Sequence, residues 1–105
     1  MAHDFAAQRR ETFDTFASLP KGQTLPESAV VDFLFFLEET DANWKGFEKA
    51  LQGRGFTTKR DADYLIASYG PMPVTAEAIW EQEKAATELA LAYDFYPDGW
   101  DLGED

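Results

Sequence analysis

From Val30 to Leu37 the chain reads Val-Val-Asp-Phe-Leu-Phe-Phe-Leu. A β-branched and aromatic run of this length, with no Gly or Pro inside and helical patterns on both sides, predicts a central strand. Side chains alternate between the two faces of a strand. Val31, Phe33, Phe35 and Leu37 therefore form one apolar ridge, while Val30, Asp32, Leu34, Phe36 and Glu38 share a mixed face. The ridge must lie under helices, and the mixed face is expected to be only partly covered.

The polar and apolar spacing on either side predicts the remaining elements. Asp4 is placed to cap a helix running to about Ser18, with Phe13, Phe16 and Ala17 on one face and Phe5 further back. Pro20, Gly22 and Pro26 end it, so residues 1–28 read as a helix and linker ahead of a domain at 29–105. Thr40 or Asp41 is expected to cap a second helix whose Trp44, Phe47, Ala50 and Leu51 face inward, stopped by Gly53 and Gly55. Phe56 to Arg60 and Tyr64 to Tyr69, separated by Asp61, Ala62 and Asp63, read as a hairpin closed by Gly70, Pro71 and Pro73. Thr75 caps the longest helix, about Ala76 to Ala92, with a stripe of Ala76, Ile79, Trp80, Ala86, Ala90 and Tyr93. Asp94 to Trp100 is the final strand, and Pro97 within it requires an edge or a bulge.

After the first helix the order is strand, helix, strand, strand, helix, strand. This is the ferredoxin-like βαββαβ arrangement, an α+β fold in which a four-stranded antiparallel sheet carries two helices on one face. Here it gains an added N-terminal helix. The open face is expected to carry Asp32, Leu34 and Phe36. With Tyr96 and Trp100 beside them these form an exposed aromatic patch, unless the N-terminal helix covers that face through Phe13 and Phe16.

Composition narrows the function classes. The chain has 105 residues, enough for one domain, and its 45% hydrophobic content and nine Phe support a packed core despite a net charge of −11. Without cysteine it has no disulfide, thiolate metal site or thiol nucleophile. No apolar run approaches the ~20 residues that span a bilayer, and Met-Ala-His-Asp-Phe lacks the features of a signal peptide, so a cytoplasmic protein without membrane contact is expected. The acidic balance disfavours direct nucleic-acid binding and favours a basic partner. Lys45, Lys49, Arg54, Lys59 and Arg60 group on one stretch, whereas Asp94, Asp98, Asp101, Glu104 and Asp105 close the chain with no base among them.

Candidate chemistry is sparse. His3 is the single histidine and lies near the terminus, so no Ser-His-Asp or Cys-His arrangement exists. Asp98-Gly99-Trp100-Asp101 lacks the 12-residue loop and closing Glu of a calcium hand, and Gly53-Arg54-Gly55 follows a helix instead of opening one, unlike a phosphate-binding loop. Glu83 falls inside the apolar stripe of the long helix and needs a partner, for which Tyr64, Tyr69 and Tyr93 are the candidates. Nothing marks it as catalytic. No catalytic residue, cofactor or metal ligand is assigned.

Glu81-Gln82, Ala90, Tyr93 and Asp98-Gly99-Trp100, together with Phe33 to Leu37, Glu39-Thr40-Asp41 and Gly55-Phe56, resemble the regulator of ribonuclease activity B family, the protein inhibitors of ribonuclease E. The similarity runs from about Ala29 to Trp100. It implies a ferredoxin-like domain and a non-catalytic protein that binds ribonuclease E and restrains RNA turnover. The enteric inhibitors continue into a long acidic C-terminal extension, whereas five residues follow Trp100 here, and Asp101 stands where those proteins more often have Gly.

The two lines converge on an acidic, non-catalytic regulator. It is expected to bind ribonuclease E or another basic protein segment, with Leu34, Phe36, Asp94, Asp98, Gly99, Trp100, Asp101 and Glu104 as the candidate contact residues. The alternative from another class is a small-molecule-sensing ferredoxin-like domain, and a carboxylate-dependent enzyme is the third.

Overall fold

A computed structural model describes residues 3–18, 25–37 and 43–102. Its elements are α1 (Phe5–Ala17), β1 (Ser28–Leu37), α2 (Trp44–Gly53), β2 (Thr57–Asp61), β3 (Tyr64–Pro73), α3 (Ala76–Ala92) and β4 (Phe95–Leu102). Side-chain oxygens of Asp4 and Thr75 cap α1 and α3 as their positions predict. The cap of α2 is Asn43, whose Oδ1 accepts the Gly46 amide at 2.9 Å. Thr40 and Asp41, expected in that role, lie outside the described residues, as do Glu38 and most of the expected linker, Pro20 and Gly22 included.

The sheet order is β2-β3-β1-β4, and every neighbouring pair is antiparallel. Strands β1 and β2 are therefore parallel to each other, as are β3 and β4, which is the split βαβ layout. Both α2 and α3 cover the ridge of β1. Val31, Phe33 and Phe35 share one core with Phe47 and Leu51 of α2 and with Ile79, Ala86 and Ala90 of α3. Phe47 sits at its centre, edge-on to Phe35 at 5.3 Å and against Phe95 at 4.8 Å.

Two expectations are corrected by the packing. Gly70, Pro71 and Pro73 belong to β3 instead of closing it. Strand β2 pairs only as far as Ser68, so beyond it one side of β3 is a free edge that tolerates proline, while Ala29↔Met72 and Ser28↔Pro73 continue the ladder to β1. Helix α1 also does not pack by its phenylalanines alone. Its buried residues are Gln8 and Thr12, which face α3, and Phe16 stacks on Trp100. Phe13 instead lies under the Arg9 guanidinium, 4.1 Å from its ring centroid. A helix held this way sits beside α3 on the helical side, and the opposite face of the sheet is left to other residues.

Candidate functional site

Residues directly opposite in an antiparallel ladder share a face, so the strand register builds the helix-free face in three cross-strand rows. The first joins Asp61, Tyr64, Phe36 and Tyr96. The second holds Lys59, Ile66 and Leu34, and the third Thr57, Ser68, Asp32 and Asp101. The first row is aromatic. Phe36 and Tyr96 rings lie 5.9 Å apart. Phe36 at 36% and Tyr64 at 39% relative exposure are the exposed large hydrophobic side chains of the described residues, and they are neighbours here. A cavity of about 360 Å³ opens beside them, lined by Phe36, Leu37, Asp63 and Tyr64.

Acids flank the aromatics. The nearby Asp98 carboxylate, and more weakly Asp63, raise the Tyr64 phenol above its ordinary range. In the third row Ser68 Oγ donates to Asp32 Oδ1 at 2.6 Å, and Asp101 stands directly across from Asp32. Like charges opposite each other in a sheet disfavour the pairing, so this row presents a surface suited to a cation. Lys59, out on the edge strand β2, is the cation in these rows. Arg60 faces the other way, where it pairs with Glu48 at 2.7 Å and covers Trp44.

The Asp98-Gly99-Trp100 turn separates two surfaces. Between Phe33 and Phe35 the β1–β4 register shifts, and Gly99 at φ +102° supplies the extra residue that an L side chain would strain. Asp98 is thereby left toward Tyr64, while Trp100 pairs across from Phe33 and packs against the core on the helical side. Trp100 thus does not join the open-face patch expected from the sequence. Pro97 lies at this bulge on an edge strand, the setting its ring requires.

Among the candidate contact residues, Leu34, Phe36, Asp98 and Asp101 come together on the open face. Gly99 acts through the backbone, Asp94 forms the turn into β4 at φ +65°, and Trp100 lies across the sheet. Glu104 lies outside the described residues. Tyr64 completes the open face, and the sequence pattern alone did not single it out. The hairpin turn fixes its position opposite Phe36, so the register was the signal that would have found it.

A second polar cluster holds α1 to α3. Glu83 is buried at 4% exposure and accepts hydrogen bonds from the Thr12 hydroxyl and from Gln8 Nε2 at 3.3 Å. Gln8 Nε2 also donates to Thr87 Oγ1 at 2.9 Å. The partners of Glu83 are therefore Gln8 and Thr12, not a tyrosine. Burial pushes the carboxyl above the ordinary glutamate range, the two hydrogen bonds oppose this, and Glu11 pushes it further up. Gln8 and Thr12 stand one helical turn apart on α1, and that polar spacing was the available clue. His3 joins the cluster through Gln8, its Nε2 standing 2.7 Å from Gln8 Oε1, and lines the same cavity as Glu83; the cluster works as a clasp.

A family model described as regulator of ribonuclease activity B matches residues 6–102, from α1 to the end of β4. The chain belongs to the regulator of ribonuclease activity B family. The family match takes in α1 with its clasp as well as the sheet, and the Asp98-Gly99-Trp100 bulge lies within it. A comparison with curated proteins returned no match. Among the described residues no helix is long and apolar enough to cross a membrane, and no group of three or more His, Cys, Asp or Glu is placed to hold a metal ion.

Proposed function

We propose that this protein is a cytoplasmic, non-catalytic inhibitor of ribonuclease E that binds a basic segment of the enzyme through the open face of its sheet. The family supplies the ribonuclease, and one observation carries the surface. Phe36 and Tyr64, the exposed large hydrophobic side chains of the described residues, are cross-strand neighbours beside Asp63 and Asp98. Exposed aromatic patches rimmed by charge are characteristic of protein contact sites. The acids set the sign of the partner and speed its encounter, and the aromatics supply the contact that holds it.

Asp101 adds a further acid to this face from β4, and Asp94 and Glu104 make the C-terminal part of the sequence acidic as a whole. Trp100 supports that strand from the helical side. The direct test is cleavage of a model RNA by purified ribonuclease E with and without this protein. The wild type should slow cleavage, and Phe36→Ala combined with Asp98→Lys should restore most of the rate. An unchanged rate with saturating wild type contradicts the proposal.

A further inference from the structure

We infer that the open face reads an extended segment bearing two basic residues four positions apart with an apolar residue midway between them, the one over Phe36 being arginine. This deepens, and rests on, the reading of a basic protein segment as the partner.

The spacing follows from the rows. Phe36 and Asp32 are separated by four residues on β1, and Leu34 lies between them on the same face. At ~3.4 Å per residue the aromatic and acidic rows are about 13 Å apart. An extended chain laid along β1 advances at the same rate and also turns every second side chain the same way. Its positions i, i+2 and i+4 therefore fall on the aromatic, apolar and acidic rows in turn. A helical partner rises only ~1.5 Å per residue and would need about nine residues to span the same distance, with its side chains off that line.

Each row selects its own chemistry. At the aromatic end, the cavity beside Phe36 and Tyr64 is walled by Asp63. A planar guanidinium stacks on such rings while its fork meets a carboxylate, which an ammonium does less well, so this position takes arginine. In the middle, Leu34 and Ile66 are half-buried cross-strand neighbours and take an apolar side chain. At the far end Asp32 and Asp101 face each other across the β1–β4 ladder with Ser68 bound to Asp32. A lysine or arginine placed between them removes their mutual repulsion.

The test uses fluorescein-labelled synthetic peptides and the whole protein, read by fluorescence anisotropy. The probe is Gly-Arg-Thr-Leu-Thr-Arg-Gly. Its comparators move the second arginine to two or three positions from the first, replace the leucine by serine, replace the second arginine alone by glutamine, or replace both arginines by glutamine. The probe should bind about fivefold tighter than each comparator with altered spacing or the serine, a difference of the size expected for one misplaced charge or apolar contact. Asp101→Asn should reduce the probe to the affinity of a peptide with a single arginine while leaving the single-arginine peptide unaffected. Equal affinity for all arginine peptides overturns the spacing rule and leaves the basic-segment reading standing. A glutamine peptide that binds as well as the probe overturns both.

Discussion

Phe16 stacks on Trp100 with ring centroids 5.7 Å apart and planes 24° from parallel, joining α1 to the C-terminal strand on the helical side of the sheet. The aromatic residue of the Asp98-Gly99-Trp100 turn is thereby structural, even though its neighbour Asp98 faces the opposite surface. Trp100→Ala should lower stability by about 2 kcal/mol, less than a fully buried aromatic because Trp100 is half-buried. Chemical denaturation measures this. Affinity for a basic partner should change little, and a large affinity loss without loss of stability would assign Trp100 to the contact instead.

The Glu83 clasp has a definite pH signature. Its folded-state carboxyl is raised above the ordinary range, chiefly by burial, so folding favours the protonated acid. The stability it contributes is fully present below the ordinary carboxylate range and is lost as pH rises through the raised value. Glu83→Gln mimics the neutral acid and escapes that loss. The melting temperature of Glu83→Gln minus that of the wild type should therefore become more positive as pH rises from ~4 to ~8. A difference that stays constant across this range would show that the carboxyl is not raised. Glu83→Ala leaves the buried Thr12 hydroxyl without its acceptor and Gln8 Nε2 with Thr87 alone, and should cost about 1 to 3 kcal/mol.

Asp98 and Tyr64 report directly on the open face. Removing the carboxylate in Asp98→Asn should bring the Tyr64 phenol down toward its ordinary range, because Asp98 is the largest cause of the upward shift. Following the Tyr64 ring signals by NMR through an alkaline titration measures it. An unmoved Tyr64 midpoint would mean that the two groups do not meet in solution.

The ridge of β1 is the most exacting test of the core. Phe35 is 1% exposed and packs edge-on against Phe47, so Phe35→Ala should cost about 3 to 5 kcal/mol in a denaturant titration. A loss below about 1 kcal/mol would be out of keeping with a buried phenylalanine.

The fold was legible because its signals are local. Alternation on β1, the caps Asp4 and Thr75, and the helical stripe of α3 each depend on neighbours in sequence, and together they order the elements. What escaped depends on pairing at a distance. The side to which Trp100 turns is set by a single bulge at Gly99, and one residue more or less in a ladder exchanges the faces. The partners of Glu83 lie 71 and 75 positions away on a helix whose apolar residues suggested a different inner face. Tyr64 became part of the site only through its register with Phe36. The open face was half readable, Leu34 and Phe36 from alternation and Asp98 and Asp101 from charge, but their convergence needed the strand order.

Binding kinetics of ribonuclease E on the immobilised protein at ~0.1 M and ~1 M salt, where the Debye length falls from about 10 Å to about 3 Å, distinguish an open-face contact from any other. Association should slow markedly at high salt and in Asp98→Lys, since exposed charges steer encounter. Phe36→Ala should mainly speed dissociation, because the aromatic contact holds the complex. Salt-independent affinity that neither substitution alters would place the contact away from the open face.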